Sequence, residues 1–315
     1  MRQNWNLDSS DNLNTRIKTR ASELGFDRCG IVPAVFLEKE YTRFGSWIKQ
    51  GFQAGMDYLE RNSEKRADPG KLVENAKSVI VVLMRYASIP VFENKSPKFS
   101  RYALGRDYHL VLKEKLHELL DFIEEEVPGT RGRVFVDSAP VMERSLAVRA
   151  GLGWIGRNSM LINRNLGSYT FIGEIITDLE TEYDEPFGTS HCGSCSRCID
   201  SCPTGAILPD RSIDSNKCIS YVTIEHRGPI TELFRNKMNG WAFGCDICQE
   251  VCPWNSKPGS PVNPQFEPKP EFINYTPAMW RELDKGAFDE IFKDSPLLRT
   301  GYKGFTRNLE FIDPA

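Results

Sequence analysis

Eight of the nine cysteines in this 315-residue chain lie between Cys192 and Cys252. The first four fall in the pattern Cys192-x2-Cys195-x2-Cys198-x3-Cys202-Pro203, and a second run reads Cys245-x2-Cys248-x3-Cys252-Pro253. The first spacing is that of bacterial-type ferredoxins, where the fourth cysteine serves the other of two clusters. A cubane presents four irons, each needing one thiolate. Close spacing lets one turn of chain reach three of them, and the proline after the last cysteine turns the chain away. The second run has Ala242 where a leading cysteine would stand, which leaves Cys218 to complete it. Crossed ligation then groups Cys192, Cys195, Cys198 and Cys252 around one [4Fe-4S] cluster. Cys202, Cys218, Cys245 and Cys248 surround the other. Two four-thiolate zinc sites and a disulfide framework are the competing readings. Zinc sites rarely use this spacing twice, and disulfides need an oxidising compartment. Iron–sulfur is therefore the favoured reading. Cys29 stands apart in an apolar strand pattern and reads as an inert core residue.

Two clusters pass electrons singly and leave open what is reduced. The residues upstream must carry a second cofactor or a substrate, and the chain is long enough for about two domains. Hydrophobic residues make up 40% and aromatic residues 11% of it, enough for a buried core. The 40 Lys and Arg against 43 Asp and Glu give a net charge of −3. That excludes a generically basic nucleic-acid coat, so RNA contact has to be local. The longest apolar run, Val79 to Met84, is too short to span a bilayer, and the first dozen residues lack an apolar signal core. A cytoplasmic protein with no membrane partner is expected.

The elements that must position this chemistry follow from periodicity. Residues 11–24, 35–50, 107–126 and 142–150 read as helices. Residues 26–32, 78–84, 133–137 and 169–177 read as strands, with 78–84 apolar enough to be covered on both faces. An α/β or α+β domain over residues 1–180 is predicted. Residues 181–262 form a ferredoxin-like double-cluster domain, organised by metal rather than by a hydrophobic core. Residues 263–315 form a tail packed on the core, and the proline-rich stretch from Pro258 to Pro277 is expected to be extended. No dinucleotide fingerprint or P-loop is present.

Asp137 ends the third strand, just before a turn and a helix start. A carboxylate there can cap the helix, or act as a general acid if desolvation raises its pKa. Residue types alone favour capping. The surrounding motifs carry more. Asp137-Ser-Ala-Pro-x-x-Glu143-Arg144, Ala150-Gly-Leu-Gly-Trp-Ile-Gly-Arg-Asn158-Ser159, Gly167-Ser-Tyr169-x-Phe-Ile172-Gly-Glu174 and the His191-Cys192 module together strongly resemble the epoxyqueuosine reductase family. Gly51-x-x-Ala-Gly-Met56-Asp-Tyr58-Leu, Arg66-Ala-Asp-Pro and Gly105-Arg-Asp107-Tyr-His109 extend the resemblance over nearly the whole chain.

The resemblance implies a cobalamin-dependent enzyme, related to reductive dehalogenases, that reduces epoxyqueuosine to queuosine at the wobble position of tRNA. It implies Asp137 as proton donor and Arg144 at the substrate or corrin. Met56, Tyr58, Asn158, Ser159, Tyr169, Ile172 and Glu174 would cradle cobalamin, with Tyr102 over the upper face of the cobalt. The pattern departs from a cobalt-ligating Asp-x-His-x-x-Gly motif, because Leu112 stands at the Gly position after His109. This implies base-off cobalamin with no protein histidine ligand, and His109 reads as structural. His117 and His226 get the same reading, and His191 could tune a neighbouring cluster. The length implies a short form without the family's C-terminal helical-repeat extension. A monomer is expected, using a flavodoxin- or ferredoxin-type electron donor. RNA contact could come from Arg227, Arg235 and Lys237, or from Arg299, Lys303 and Arg307 with Tyr302 and Phe305. A solvated or packed face is the equal alternative for both patches. A two-cluster electron carrier and a dehalogenase-like reductase are the other functional readings.

Overall fold

The computed structural model describes residues 12–86, 97–256 and 263–313. The first eleven residues and the start of the proline-rich stretch, 258–262, lie outside them. Among the described residues there are eight strands: β1 (Arg28–Pro33), β2 (Ser78–Arg85), β3 (Lys98–Phe99), β4 (Gly132–Phe135), β5 (Trp154–Ile155), β6 (Leu161–Ile162), β7 (Thr170–Thr177) and β8 (Trp241–Phe243). The main sheet has the order β1-β2-β7-β4, and every neighbouring pair is antiparallel. Of the two fold classes expected, the arrangement is therefore the α+β one.

Strand β2 is buried along its whole length, as its β-branched run predicts. Successive side chains point to opposite faces of a strand. Ile80, Val82 and Met84 pack into one apolar cluster with Ile17 and Ala21 of the Leu13–Glu23 helix and with Leu112, Leu116 and Leu119 of the Tyr108–Glu126 helix. Val79, Val81 and Leu83 pack into a second cluster with Leu146 and Ala147 of the Glu143–Arg149 helix. The long helix starts where Asp107 accepts the His109 backbone N–H at 2.9 Å, a standard N-cap. It lies close against β7, where a Cβ on Gly173 would stand 2.9 Å from Leu116 Cδ1. Leu116 is fully buried, so its truncation to Ala removes about 2–5 kcal/mol of stability.

Two expectations need correction. The described residues of the proline-rich stretch, from Asn263 on, are not extended throughout, nor are those after it. They form short helices at Pro270–Asn274, Pro277–Arg281, Lys285–Phe292 and Gly301–Ile312. Trp280, Phe288, Phe292, Leu297 and Phe305 bury one another there, together with Ala242 and Phe243 of β8. Pro264, Pro270, Pro277 and Pro296 each sit in the first turn of a short helix, where the missing N–H costs nothing. The chain between Cys218 and Cys245 is also not held by metal ligation alone. Ile219, Val222, Ile230, Phe234, Met238 and Trp241 form a small core of their own. Strand β8 pairs in parallel with β3 and so joins this region to the sheet domain. No helix among the described residues is long and apolar enough to cross a membrane.

Candidate active site

Asp137 follows β4 with a φ of 51°, in the left-handed region. A non-glycine residue there costs on the order of 1–2 kcal/mol. The following helix begins at Glu143 and has no side-chain cap, so Asp137 does not cap it. Its backbone N–H instead donates to the Glu143 carboxylate. The Asp137 carboxylate accepts the Tyr108 hydroxyl at 2.6 Å and lies 3.5 Å from His109 Nε2. The other ring nitrogen of His109 is 2.7 Å from Asp107 Oδ1. His109 thus bridges two carboxylates, and the Asp137 side chain remains 59% exposed. The N-terminus of the long helix and the end of β4 meet here, each contributing what the other lacks.

The charges follow from this packing. Burial alone would lower the His109 pKa, but hydrogen bonds to Asp107 and Asp137 outweigh it and raise it to about 9. Although the Asp137 side chain is open on one side, the protein packed around it acts to raise its pKa, but hydrogen bonds from His109 and Tyr108, with the His109 and Arg144 charges, hold it below the usual carboxylate range. Burial, and then the Asp137 charge, push Glu143 up to about 8. At neutral pH the protons therefore sit on His109 and Glu143, and Asp137 is ionised.

Glu174 is fully buried on β7. Burial, then Glu143 and Asp137, push its pKa well up. Neither of its carboxyl oxygens has a hydrogen-bond partner, nor does the Thr170 hydroxyl on the same face of the strand. Ile172 lies half-buried between them. Unpaired buried polar groups cost about 1–3 kcal/mol each. Two of them flanking an apolar residue fit a face built for a ligand that is apolar in its centre and bears hydrogen-bonding groups at its edge, as a corrin with its amide side chains is.

The other predicted residues fall around this face. Arg144 is exposed and its guanidinium donates to the Ser159 carbonyl. The Ser159 hydroxyl donates to the Arg211 carbonyl. Asn158 is buried, with its amide donating to the Cys248 carbonyl at 3.4 Å. Tyr58 lies under the Arg299 guanidinium, and burial first, then Glu225, raise its phenol pKa. Asp137 also acts on it, so Tyr58 belongs to the same neighbourhood. Met56 sits half-buried in the turn before it, its backbone N–H on the Gln53 carbonyl. Tyr169 is buried with Arg101 over its ring at 5.2 Å. Tyr102 stands between Tyr108, at 6.1 Å, and Phe243, at 6.0 Å. Tyr108, Asp107 and Glu143 were not singled out by residue type, and His109 was read as purely structural. Their only signal in the sequence is that they lie inside the family motifs.

The cysteine module builds two short helices, Arg197–Asp200 and Ile247–Glu250, each running into a Cys-Pro step. The thiols sort by whom they feel. Burial first, then Cys252 and Cys192, raise Cys198, while Cys252 feels Cys192 and Cys195. Burial, then Cys248 and Cys218, raise Cys245, and Cys218 feels Cys202. Cys248 responds to Cys218, Cys198 and Cys202, so it lies where the two sets meet. Among the described residues no three His, Cys, Asp or Glu side chains converge tightly enough for a single ion. Cys29 packs against the first apolar cluster, and burial pushes its thiol up to about 12.

Most of the basic residues considered for RNA are engaged within the protein. Arg227 donates to the carbonyls of Ile224, Arg299 and Thr300. Arg299 pairs with Glu225, and Arg235 with Glu232. Arg307 holds the carbonyls of Val222, His226 and Gly228. Phe305 is buried and the Tyr302 hydroxyl donates to the Leu283 carbonyl. Phe305 is thus packed, while Arg235 and Arg299 stay exposed within their ion pairs.

Two family models match the chain: "4Fe-4S double cluster binding domain" over residues 191–255, and "Epoxyqueuosine reductase QueG, DUF1730" over residues 66–138. An epoxyqueuosine reductase of Cyclobacterium marinum is 47% identical over 300 residues, covering 94% of this chain and 95% of that protein. A crystal structure of an epoxyqueuosine reductase with an epoxyqueuosine-modified tRNA-Tyr stem loop superposes with a TM-score of 0.88 at 31% identity. It covers 95% of this chain and 80% of that one. The Bacillus subtilis enzyme, in a structure whose aspartate-bearing catalytic loop is swung out of the active site, gives 0.87 at 30% identity over the same shares. The acid–histidine site and the double-cluster module therefore sit in one chain that belongs to the epoxyqueuosine reductase family.

Proposed function

We propose that this chain reduces epoxyqueuosine to queuosine in the anticodon loop of tRNA, with two [4Fe-4S] clusters and base-off cobalamin as cofactors. The observation that carries the reading is the position of Asp137. Its carboxylate is open to solvent, gripped by Tyr108 and His109, and electrostatically coupled to the unpaired polar face of β7. Removing an epoxide oxygen as water takes two electrons and two protons. Bound cobalamin would supply the two-electron chemistry at carbon that the clusters, passing one electron at a time, do not. Glu174 and Thr170 would satisfy its edge groups. Ile172, Tyr169, Tyr102, Asn158, Ser159, Met56 and Tyr58 would line the rest of its seat. Arg144 would lie against the corrin or the substrate.

The protein's own part is the proton. Asp137 delivers it to the departing oxygen, although it is ionised at rest. His109 carries a proton at neutral pH and touches Asp137, so it loads the carboxylate when negative charge develops on the substrate oxygen. Tyr108 fixes the carboxylate's direction. Glu143 holds the backbone of the turn and, protonated, adds no second negative charge beside it. The thiol neighbourhoods support the crossed ligand sets: Cys192, Cys195, Cys198 and Cys252 for one cluster, and Cys202, Cys218, Cys245 and Cys248 for the other. The second set lies nearer the site, since Asn158 holds the Cys248 carbonyl and Phe243, two residues before Cys245, touches Tyr102. The relative bound to a tRNA stem loop supports a single-stranded loop substrate whose base leaves the stack. Electrons would come from a flavodoxin- or ferredoxin-type donor to a cytoplasmic monomer.

The test is reconstitution with iron, sulfide and cobalamin, followed by reaction with a chemical reductant and epoxyqueuosine-containing tRNA. Nucleoside analysis is expected to show queuosine in place of its epoxide. Corrin bands and cluster absorption without any conversion would contradict the reading.

A further inference from the structure

The two cysteine sets do not face the solvent alike. In the second set, Cys218, Cys245 and Cys248 adjoin buried elements, while Cys202 lies nearer the surface run. Cys245 follows buried β8, and Cys218 opens a helix packed in the Ile219–Trp241 core. The first set lies on a surface loop in which Gly193, Ser194 and Arg197 are exposed. Cys252 lines an open depression beside Arg197, Ser201, Pro253 and Ser256. An electron arriving from outside therefore meets the first set before the second, and the second set lies next to Tyr102 and Asn158.

The charge around this loop is distinct from that of the chain as a whole. Arg157 donates to the Gly193 carbonyl at 3.0 Å, between two of the cysteines. Arg164 is exposed and lies 2.9 Å from His191 Nε2. Arg197 is exposed between Cys195 and Cys198 and lines the depression together with Glu250. The carboxylates of the same face are Asp200, which accepts the Ser196 hydroxyl, and Glu250, which faces Arg101 at 3.6 Å. Arginine thus exceeds carboxylate here, on a chain whose net charge is −3. His191 packs between Trp154, at 5.0 Å, and Trp254, at 6.1 Å, which stiffens the loop. A fixed cationic rim around the most accessible thiols is an arrangement for steering an anionic partner.

We propose that this arginine-rimmed face, from His191 to Cys198 with Cys252 and the depression beside it, is the docking surface for an acidic one-electron carrier protein. The inference rests on the proposed reductase reading. At each encounter the carrier is oxidised by one electron and the outer cluster is reduced by one. Two encounters supply the two electrons per epoxide, and both protons enter on the Asp137 side. Arg157 and the tryptophans hold the loop in place, while Arg164 and Arg197 supply the exposed charge.

The experiment compares reduced flavodoxin, an acidic carrier, with reduced methyl viologen as electron source for the reconstituted enzyme. Arg197→Glu and Arg164→Glu are expected to lower flavodoxin-driven turnover about tenfold each, through KM for flavodoxin. Viologen-driven turnover, iron content and the cluster spectrum should stay at the wild-type level. With tRNA saturating, added salt should raise KM for flavodoxin and slow the flavodoxin reaction more than the viologen reaction. Unchanged flavodoxin kinetics in both variants would overturn the proposal. So would a raised KM for tRNA with viologen as reductant, which would make the face an RNA surface. A wild-type enzyme inactive even with viologen would instead contradict the reductase reading itself.

Discussion

The cysteine module and the Asp137 site are built by opposite means. In the module, each local run strings closely spaced thiols around one short helical turn, which carries Cys198 in the first and Cys248 in the second, and the fold only has to bring the two runs and Cys218 together. At the acid site the participants come from four different elements. Asp107, Tyr108 and His109 open the long helix, Asp137 follows β4, Glu143 begins the next helix and Glu174 sits inside β7. The main sheet is what joins them, through pairing of β4 with β7 under the long helix. Electron transfer tolerates a ligand set written in sequence spacing. Proton delivery needs angles and distances that only tertiary packing supplies.

The sharpest break in that comparison is Cys218→Ala. Cys218 is the one cysteine of the module that comes from outside the two runs, so its loss should remove one cluster and leave the other. Iron should fall from roughly eight towards four per chain, with turnover lost. Unchanged iron would remove Cys218 from the ligand set and with it the crossed arrangement.

His109→Gln probes the other side. A neutral amide can still hydrogen-bond Asp137 but cannot reload it, so turnover should fall about 10–100-fold with cofactor content intact. The pH profile gives the sign. The His109 pKa is raised, so its protonated form persists below about 9 and is lost above it. The stabilisation it gives the fold is fully present below the ordinary imidazole range and vanishes as pH rises through about 9. Asp137 runs the other way, its contribution present above the ordinary carboxylate range and lost as pH falls through its lowered value. In the wild type, activity should therefore decline on the alkaline side, and the variant should lose the limb near 9. A limb near 8 that survives in the variant belongs to Glu143.

The smallest effect is expected at Arg299→Ala. Its side chain is 53% exposed and pairs with Glu225, so stability should change by about 0–1 kcal/mol. Because Arg299 is committed to that pair, KM for tRNA should change less than about twofold. A large rise would return this patch to the RNA-binding surface.

What could be read without coordinates follows the same division. The cluster cysteines are legible because metal ligation writes its geometry into short-range spacing. The buried run from Val79 to Met84 and the Leu112–Leu116–Leu119 stripe are legible because burial imposes periodicity. By residue type alone Asp137 is a strand-ending carboxylate suited to capping, and only the family motif around it marks it as a proton donor. What overturns capping is the Tyr108 hydroxyl, 29 positions away in the chain and hydrogen-bonded to it. Glu174 is marked by the same kind of motif resemblance, but its state is hidden for a different reason. A carboxylate inside an apolar strand carries no sign of being buried and unpaired until β2 and β4 close on either side of β7. The C-terminal prolines misled because proline breaks helices from within yet starts them well, and only packing around Trp280 and Phe292 distinguishes the two.

The central claim is that one carboxylate, aimed by Tyr108 and loaded by His109, carries the proton to the substrate. Asp137→Asn tests it most directly, because the amide preserves size and hydrogen bonding but removes the acid. Single-turnover conversion of epoxyqueuosine-containing tRNA should fall by at least about a hundredfold. Cobalamin and cluster spectra should match the wild type. Near-wild-type queuosine formation in that variant would contradict the account.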